Sequence, residues 1–207
     1  MAKKLMKVFV FLLIGTNYLY AANTKKESVK PLPEIVLGKE GAPVTMIEYT
    51  SMTCPHCADF HLKVLPEIKS QYVDQGQLKV IHRDYPGDGL SLKATQLAFC
   101  GGPQLHPKMV NVFFSTQERW MFAKDAEAEL KKIAYENGMT KHQVESCLQN
   151  TELMDQIIQS RQEGQKSYNI KATPTLVING KIIPQALTMD QFKTTITPML
   201  VHKVSAH

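Results

Sequence analysis

Cys54 and Cys57 lie in the stretch YTSMTCPHCADFH, residues 49–61, with a proline and a histidine between them. Two cysteines at this spacing can act as a dithiol/disulfide couple, supply half of a zinc site, or close a short structural bridge. A structural bridge over so small a loop constrains the unfolded chain little. For zinc, Cys54, Cys57 and His61 would give three ligands, but a closed site needs a fourth, and the chain has no second CxxC and no HxxxH. Redox exchange has the most specific support, from residue types. Pro55 suits the first turn of a helix, where its missing N–H is not needed. His56 can place a positive charge or a hydrogen bond beside a sulfur anion. A cysteine at a helix N-terminus loses its proton more easily because the exposed N–H groups and the helix dipole favour an anion. A stabilised thiolate favours the reduced pair, so the disulfide form becomes a better oxidant.

That chemistry requires a strand before Cys54 and a helix after it. Residues 44–50 (VTMIEYT) are β-branched and aromatic and follow the turn-like Gly41-Ala42-Pro43, so they are read as a buried strand. Phe60, Leu62, Val64, Leu65, Ile68 and Tyr72 fall mostly on one helical stripe, in which Pro66 is expected to make a kink. Residues 78–85 (LKVIHRDY) read as a second strand, giving a β-α-β unit with a parallel pair. From residue 89 to 170 strand-like alternation almost vanishes, and amphipathic segments are broken at Gly101-Gly102-Pro103, Gly138 and Asn150. Strand signals return in TLVI at 175–178, with Asn179-Gly180 as a hairpin turn and Lys181–Ile183 as the partner strand. A last helix is expected from Thr188, as its cap, to about residue 202, with Pro198 limiting its end.

The compartment follows from the first residues. Lys3, Lys4 and Lys7 precede an apolar run from Val8 to Ile14, and small residues follow at Ala21-Ala22. This is the pattern of a cleaved secretory signal over 1–21, an uncleaved anchor being the alternative; the run is short of the roughly 20 residues that span a bilayer. Residues 22–33, polar and proline-punctuated, read as a flexible leader. Removal of residues 1–21 takes away three lysines and no acid, so the formal charge falls from +5 to +2. No Lys/Arg stripe interleaves with aromatics, so no nucleic-acid partner is assigned. Export matters more than charge: it puts all four cysteines where disulfides persist.

Cys54-Pro55-His56-Cys57 after a strand, Thr173-Pro174 just before TLVING, a helical insertion and an export signal occur in the order found in one family. The chain resembles the DsbA family of thiol:disulfide oxidoreductases. The resemblance implies an α/β thioredoxin fold with an inserted α-helical domain, the thioredoxin-like part comprising 34–88 and 171–207 and the insertion 89–170. It implies a cis Pro174 facing the cysteines, with Thr173 beside them. It implies that Glu48, six residues before Cys54, is a buried acid that helps move the proton of Cys57; an outward-facing strand residue is the alternative. The chain departs from the best-known members at His61, where they carry an acid, at Thr53 before the first cysteine, and at Thr173, where they carry valine. Cys100 and Cys147, in the helical block, are expected to pair with each other as a structural disulfide like one in alphaproteobacterial DsbA-like proteins; two buried free thiols are the alternative. His82, His106 and His142 are scattered singly in sequence and are expected at the surface or the edge of the core.

The function so implied is a periplasmic dithiol oxidase that acts on reduced secreted proteins or peptides. It would be monomeric, reoxidised by a membrane partner, and in need of no metal or organic cofactor. An isomerase or reductase kept in the dithiol state, or an exported metal-binding domain without enzymatic activity, is the alternative.

Overall fold

The computed structural model describes residues 29–204. The expected signal over 1–21, and most of the leader, lie outside the described residues. Four of the five strands were read from alternation and turn chemistry; the other is β1 (Ile35–Leu37), only three residues long. β2 (Val44–Thr50) and β3 (Leu78–Asp84) run parallel, joined by helix α1 over residues 55–73. β4 (Thr175–Ile178) and β5 (Lys181–Ile183) close the sheet, whose order is β1-β3-β2-β4-β5. β2 lies at the centre, parallel to β3 and antiparallel to β4. The β4–β5 hairpin turns at Asn179 and Gly180, both with positive φ, as a two-residue turn matching strand twist requires.

α1 is not uniform. Five-residue π-helical segments, Phe60–Val64 and Lys69–Val73, alternate with α-helical Pro55–Asp59 and Leu65–Ile68. The first π segment ends just before Leu65-Pro66, so the proline expected to kink the helix falls where the hydrogen-bond ladder changes register.

Six helices separate β3 from β4: α2 (Gly89–Phe99), α3 (His106–Ser115), α4 (Gln117–Met121), α5 (Ala126–Glu136), α6 (Lys141–Leu148) and α7 (Thr151–Tyr168). They enclose an apolar cluster of Leu97, Val110, Phe113, Trp120, Ile133 and Val144, which also takes in Cys57 and Ala58 from α1. Farther along α1, Phe60, Leu65 and Ile68 pack into a second cluster with Val44, Val80, Leu176 and Phe192. The helix carrying the cysteines therefore belongs to both cores, and neither can move without it. α7 lies close against the sheet because Gly164 faces the Tyr49 ring; a Cβ there would fall 2.5 Å from Cε1 of Tyr49.

α8 (Met189–Val204) runs through Pro198, contrary to the expectation that the proline would limit it. The proline removes one helical N–H, but Pro198 and Thr194, whose carbonyl is left free, are exposed, while Phe192 and Ile196 hold the helix to the core. Among the described residues no helix is long and apolar enough to cross a membrane.

Candidate active site

Cys54 is the N-cap of α1, in extended conformation with φ −89° and ψ 116°. Its carbonyl accepts from the N–H groups of Cys57 and Ala58 at 3.1 and 3.2 Å, which fixes the first turn. The bend before it is held from α2 and α4. Ser91 Oγ accepts from the Met52 N–H at 3.1 Å and lies 2.8 Å from Ser51 Oγ. Thr53 Oγ1 donates to Asp88 Oδ2 at 2.6 Å, and the other oxygen of Asp88 caps α2 by accepting from the Ser91 N–H. Gln117, buried on α4, donates from Nε2 to the carbonyls of Met52 and Cys54 at 2.8 and 3.1 Å. Sequence reasoning missed Gln117 and Ser91, which lie far from the CPHC stretch and carry no motif of their own.

The two cysteines are free thiols in different surroundings. Cys54 is partly exposed, whereas Cys57 is fully buried against the helical core. The Cys54 pKa is lowered to about 6. The largest cause is the Cys57 thiol, which donates to the Cys54 sulfur; partial burial opposes it; the N–H of Cys57, the Thr173 side chain and the N–H of His56 add to it. Burial pushes the Cys57 thiol strongly up, and the neighbouring Cys54 adds to that. The pair is thus polarised into one accessible thiolate and one buried thiol.

The Thr173–Pro174 bond is cis. Across the gap, the Cys54 thiol donates to the main-chain carbonyl of Thr173 at 3.2 Å, a contact that sequence reasoning had not drawn. The segment is held by Thr175 Oγ1, which donates to the Ala172 carbonyl at 2.7 Å. His56 is exposed on the outer face of the turn, and among the described residues its imidazole makes no hydrogen bond to the sulfur; its contribution to the thiolate comes through its main-chain N–H. Cys100, at the C-terminal end of α2, and Cys147, in α6, are joined, with Cα atoms 5.7 Å apart.

Glu48 is fully buried on β2, and neither of its carboxylate oxygens has a hydrogen-bond partner. It belongs to a second cluster. His82, opposite Glu48 in the β2–β3 register, places Nδ1 3.7 Å from Glu48 Oε2 and Nε2 3.6 Å from Asp84 Oδ1. His106 Nε2 lies 2.8 Å from Asp84 Oδ2. The expectation that His82 and His106 would be isolated near the surface is therefore wrong; His142 alone of the three is exposed. The cause is register: Leu78, Val80, His82 and Asp84 share the buried face of β3, so the alternation that buries Val80 also buries His82 and Asp84. Burial alone would push His82 down, but the carboxylates of Asp84 and Glu48 on either side of it outweigh that and hold its pKa at about 10. Burial would raise Asp84, but His106 and His82 keep it below the usual carboxylate range. The metal option weighed from sequence at Cys54, Cys57 and His61 does not form a group; among the described residues the candidate ligand groups are Glu48–His61–His82 and His82–Asp84–His106.

A half-exposed thiolate one helical turn from a buried thiol, beside an open main-chain carbonyl, is equipped for thiol–disulfide exchange through Cys54. Comparison with known proteins places this fold in one class. The sequence model of the Thioredoxin family matches residues 30–197, and the protein belongs to that family. Within it the architecture is the DsbA-like one, a thioredoxin fold carrying inserted helices. Alpha-DsbA1 of Wolbachia pipientis superposes with a TM-score of 0.76 at 26% identity, over 84% of this chain and 96% of that one. The DsbA of Chlamydia trachomatis has the same fold, with a TM-score of 0.70 at 19% identity, over 84% of this chain and 93% of that one. Disulfide bond formation protein D of Bacillus subtilis is 27% identical over 184 residues, 85% of this chain and 80% of that protein. A Rickettsia conorii protein with the name of a protein-disulfide oxidoreductase is 29% identical over 71% of this chain but only 53% of its own length, so this chain spans about half of such relatives.

Proposed function

We propose that the protein is an exported thiol:disulfide oxidoreductase that donates the Cys54–Cys57 disulfide to reduced secreted proteins. The observation that carries this reading is the polarisation of the pair, with Cys54 accessible at a pKa of about 6 and Cys57 buried with its thiol pushed up. A substrate thiolate attacks Cys54 Sγ; the Cys54–Cys57 bond breaks, a mixed disulfide forms, and Cys57 leaves and takes up a proton. A second substrate thiolate then attacks the substrate sulfur of the mixed disulfide and releases Cys54 as a thiolate. The substrate gains a disulfide and the enzyme becomes the dithiol. The low pKa of Cys54 makes it a good leaving group in the second step.

The Thr173 carbonyl, 3.2 Å from the Cys54 sulfur, offers an acceptor for the main chain of an extended substrate peptide. Reoxidation by a membrane partner, location in the periplasm and a monomeric state complete the proposal, and Cys100–Cys147 acts in it as a structural brace. The test is oxidation of a reduced dithiol peptide by the preformed Cys54–Cys57 disulfide, together with the reduction potential of the pair against glutathione. Stoichiometric peptide oxidation and a potential well above that of a structural disulfide are expected. A pair that stays reduced in equilibrium with glutathione and only shuffles preformed disulfides would replace the oxidase reading with the isomerase one.

A further inference from the structure

Beneath the active-site helix, three buried side chains from three elements converge on one point. Glu48 comes from β2, His82 from β3 and His61 from α1, and one ligand atom from each lies within 4.8 Å of the others. We propose that Glu48, His61 and His82 form a binding site for a divalent first-row transition cation of the Zn²⁺ type, separate from the Cys54–Cys57 pair.

Both oxygens of Glu48 and Nδ1 of His61 are buried without a hydrogen-bond partner. Orphaned buried polar atoms are costly, and among the described residues neither Glu48 nor Asp84 pairs with a lysine or arginine. A dication would replace the single proton that His82 holds between the two buried carboxylates and balance both together. The separation of Glu48 Oε2 and His82 Nδ1 is 3.7 Å, against about 3.4 Å between ligand atoms around tetrahedral zinc with bonds of about 2.1 Å, so a small side-chain adjustment closes the site. Behind it stands the usual support for a metal-bound imidazole. Asp84 faces His82 Nε2 and is itself anchored by His106 at 2.8 Å, so His82 keeps its Nε2 proton toward Asp84 and the cation takes the place of the Nδ1 proton that faces Glu48. The three ligands line a cavity of about 30 Å³ whose other walls include Leu37, Leu65 and Val110, room for one water in a fourth position. Two imidazoles and one carboxylate suit zinc and its neighbours; calcium and magnesium ask for six or more oxygens, and cuprous ion for thiolates. His61 is the ligand that reaches partly toward solvent, and it offers the way in.

The bound cation would tie β2, β3 and α1 together and so brace the helix that opens at Cys54. The experiment uses the fully oxidised, metal-free protein, in which both cysteine pairs are disulfides and no thiolate competes. Titration with Co²⁺ should give one equivalent bound, with visible ligand-field bands of four-coordinate nitrogen and oxygen ligation and no thiolate charge-transfer band. Zn²⁺ should displace it and raise the thermal midpoint. His61→Ala should weaken binding by about 100-fold or more; Asp84→Asn, acting through His82, should weaken it by about 10- to 100-fold; and His142→Ala, on the exposed surface, should leave it unchanged. Should His61→Ala fail to fold, Glu48→Gln, which keeps the shape and loses the charge, gives the same reading. Oxidised wild type that binds no stoichiometric Co²⁺ or Zn²⁺, or folded His61→Ala or Glu48→Gln protein that binds as wild type does, overturns the proposal.

Discussion

The chain carries two cysteine pairs, and position alone separates their chemistry. Cys54 and Cys57 stand one turn apart on one helix, the first at its open N-terminus and the second in the core; they are free and unequally acidic. Cys100 and Cys147 come from different helices, are bonded to each other across a sequence separation of 47, and lie in or against the helical core. A bridge that closes so long a loop contributes to stability by restricting the unfolded chain, by about 4 kcal/mol on chain-entropy arguments. A bridge across one helical turn restricts almost nothing, so the Cys54–Cys57 bond is free to be spent on exchange. The residue type is the same; the loop length and the helix terminus decide the role.

The most severe way to break the contrast is to remove one sulfur of the exchanging pair. Cys54→Ser should reduce peptide oxidation to background, while Cys57→Ser, mixed with a disulfide-containing peptide, should accumulate the mixed disulfide formed when the Cys54 thiolate attacks the peptide disulfide, visible by mass. Next in size, replacing both Cys100 and Cys147 with serine should lower unfolding stability by about 2–4 kcal/mol in urea while peptide oxidation persists. If activity disappears in folded double-serine protein, the second pair takes part in exchange and the contrast fails.

A smaller effect sharpens the link between the two regions. Gln117 of the helical block donates to the carbonyls of Met52 and Cys54, so Gln117→Leu should leave the Met52 carbonyl without its donor, while the Cys54 carbonyl keeps the N–H groups of Cys57 and Ala58. A loss of about 1–3 kcal/mol is expected, together with an altered exchange rate. Smallest is Thr173→Val, which removes the hydroxyl that favours the Cys54 thiolate and should raise its pKa by about one unit or less, toward a weaker oxidant. His56→Ala keeps the main-chain N–H, so the Cys54 pKa in that variant should stay below the ordinary value of about 8.5.

The exchanging pair was legible in the sequence because its parts are local: strand, CPHC and helix follow one another, and the proline at 174 announces itself before TLVING. The hairpin was legible because Asn179-Gly180 has few other uses. The buried cluster was not. Glu48, His61, His82, Asp84 and His106 are spread over nearly 60 positions and meet only through the register that sets Glu48 against His82 and through the packing of α1 and α3 on that face. One signal was available: in LKVIHRDY, His82 and Asp84 share a face with Leu78 and Val80, so the face that buries those two also buries His82 and Asp84. β1 was missed because three residues are too few to show a period, and Pro198 misled because it sits on the exposed side of a helix that Phe192 and Ile196 hold to the core, where one lost N–H bond does not end the helix.

The central claim is that Cys54 is an accessible thiolate near neutral pH. Because its pKa is depressed in the folded dithiol, this stabilisation is complete above the ordinary thiol pKa of about 8.5 and is lost as pH falls through about 6. The reduced protein should therefore gain stability relative to the oxidised protein as pH rises from below 6 toward 8. The most direct measurement is the thiolate ultraviolet absorbance of the reduced protein against pH. The account predicts a single transition with a midpoint near 6 that disappears in Cys54→Ser; a curve flat until pH rises to about 8.5, or a low transition that survives in Cys54→Ser, would contradict it.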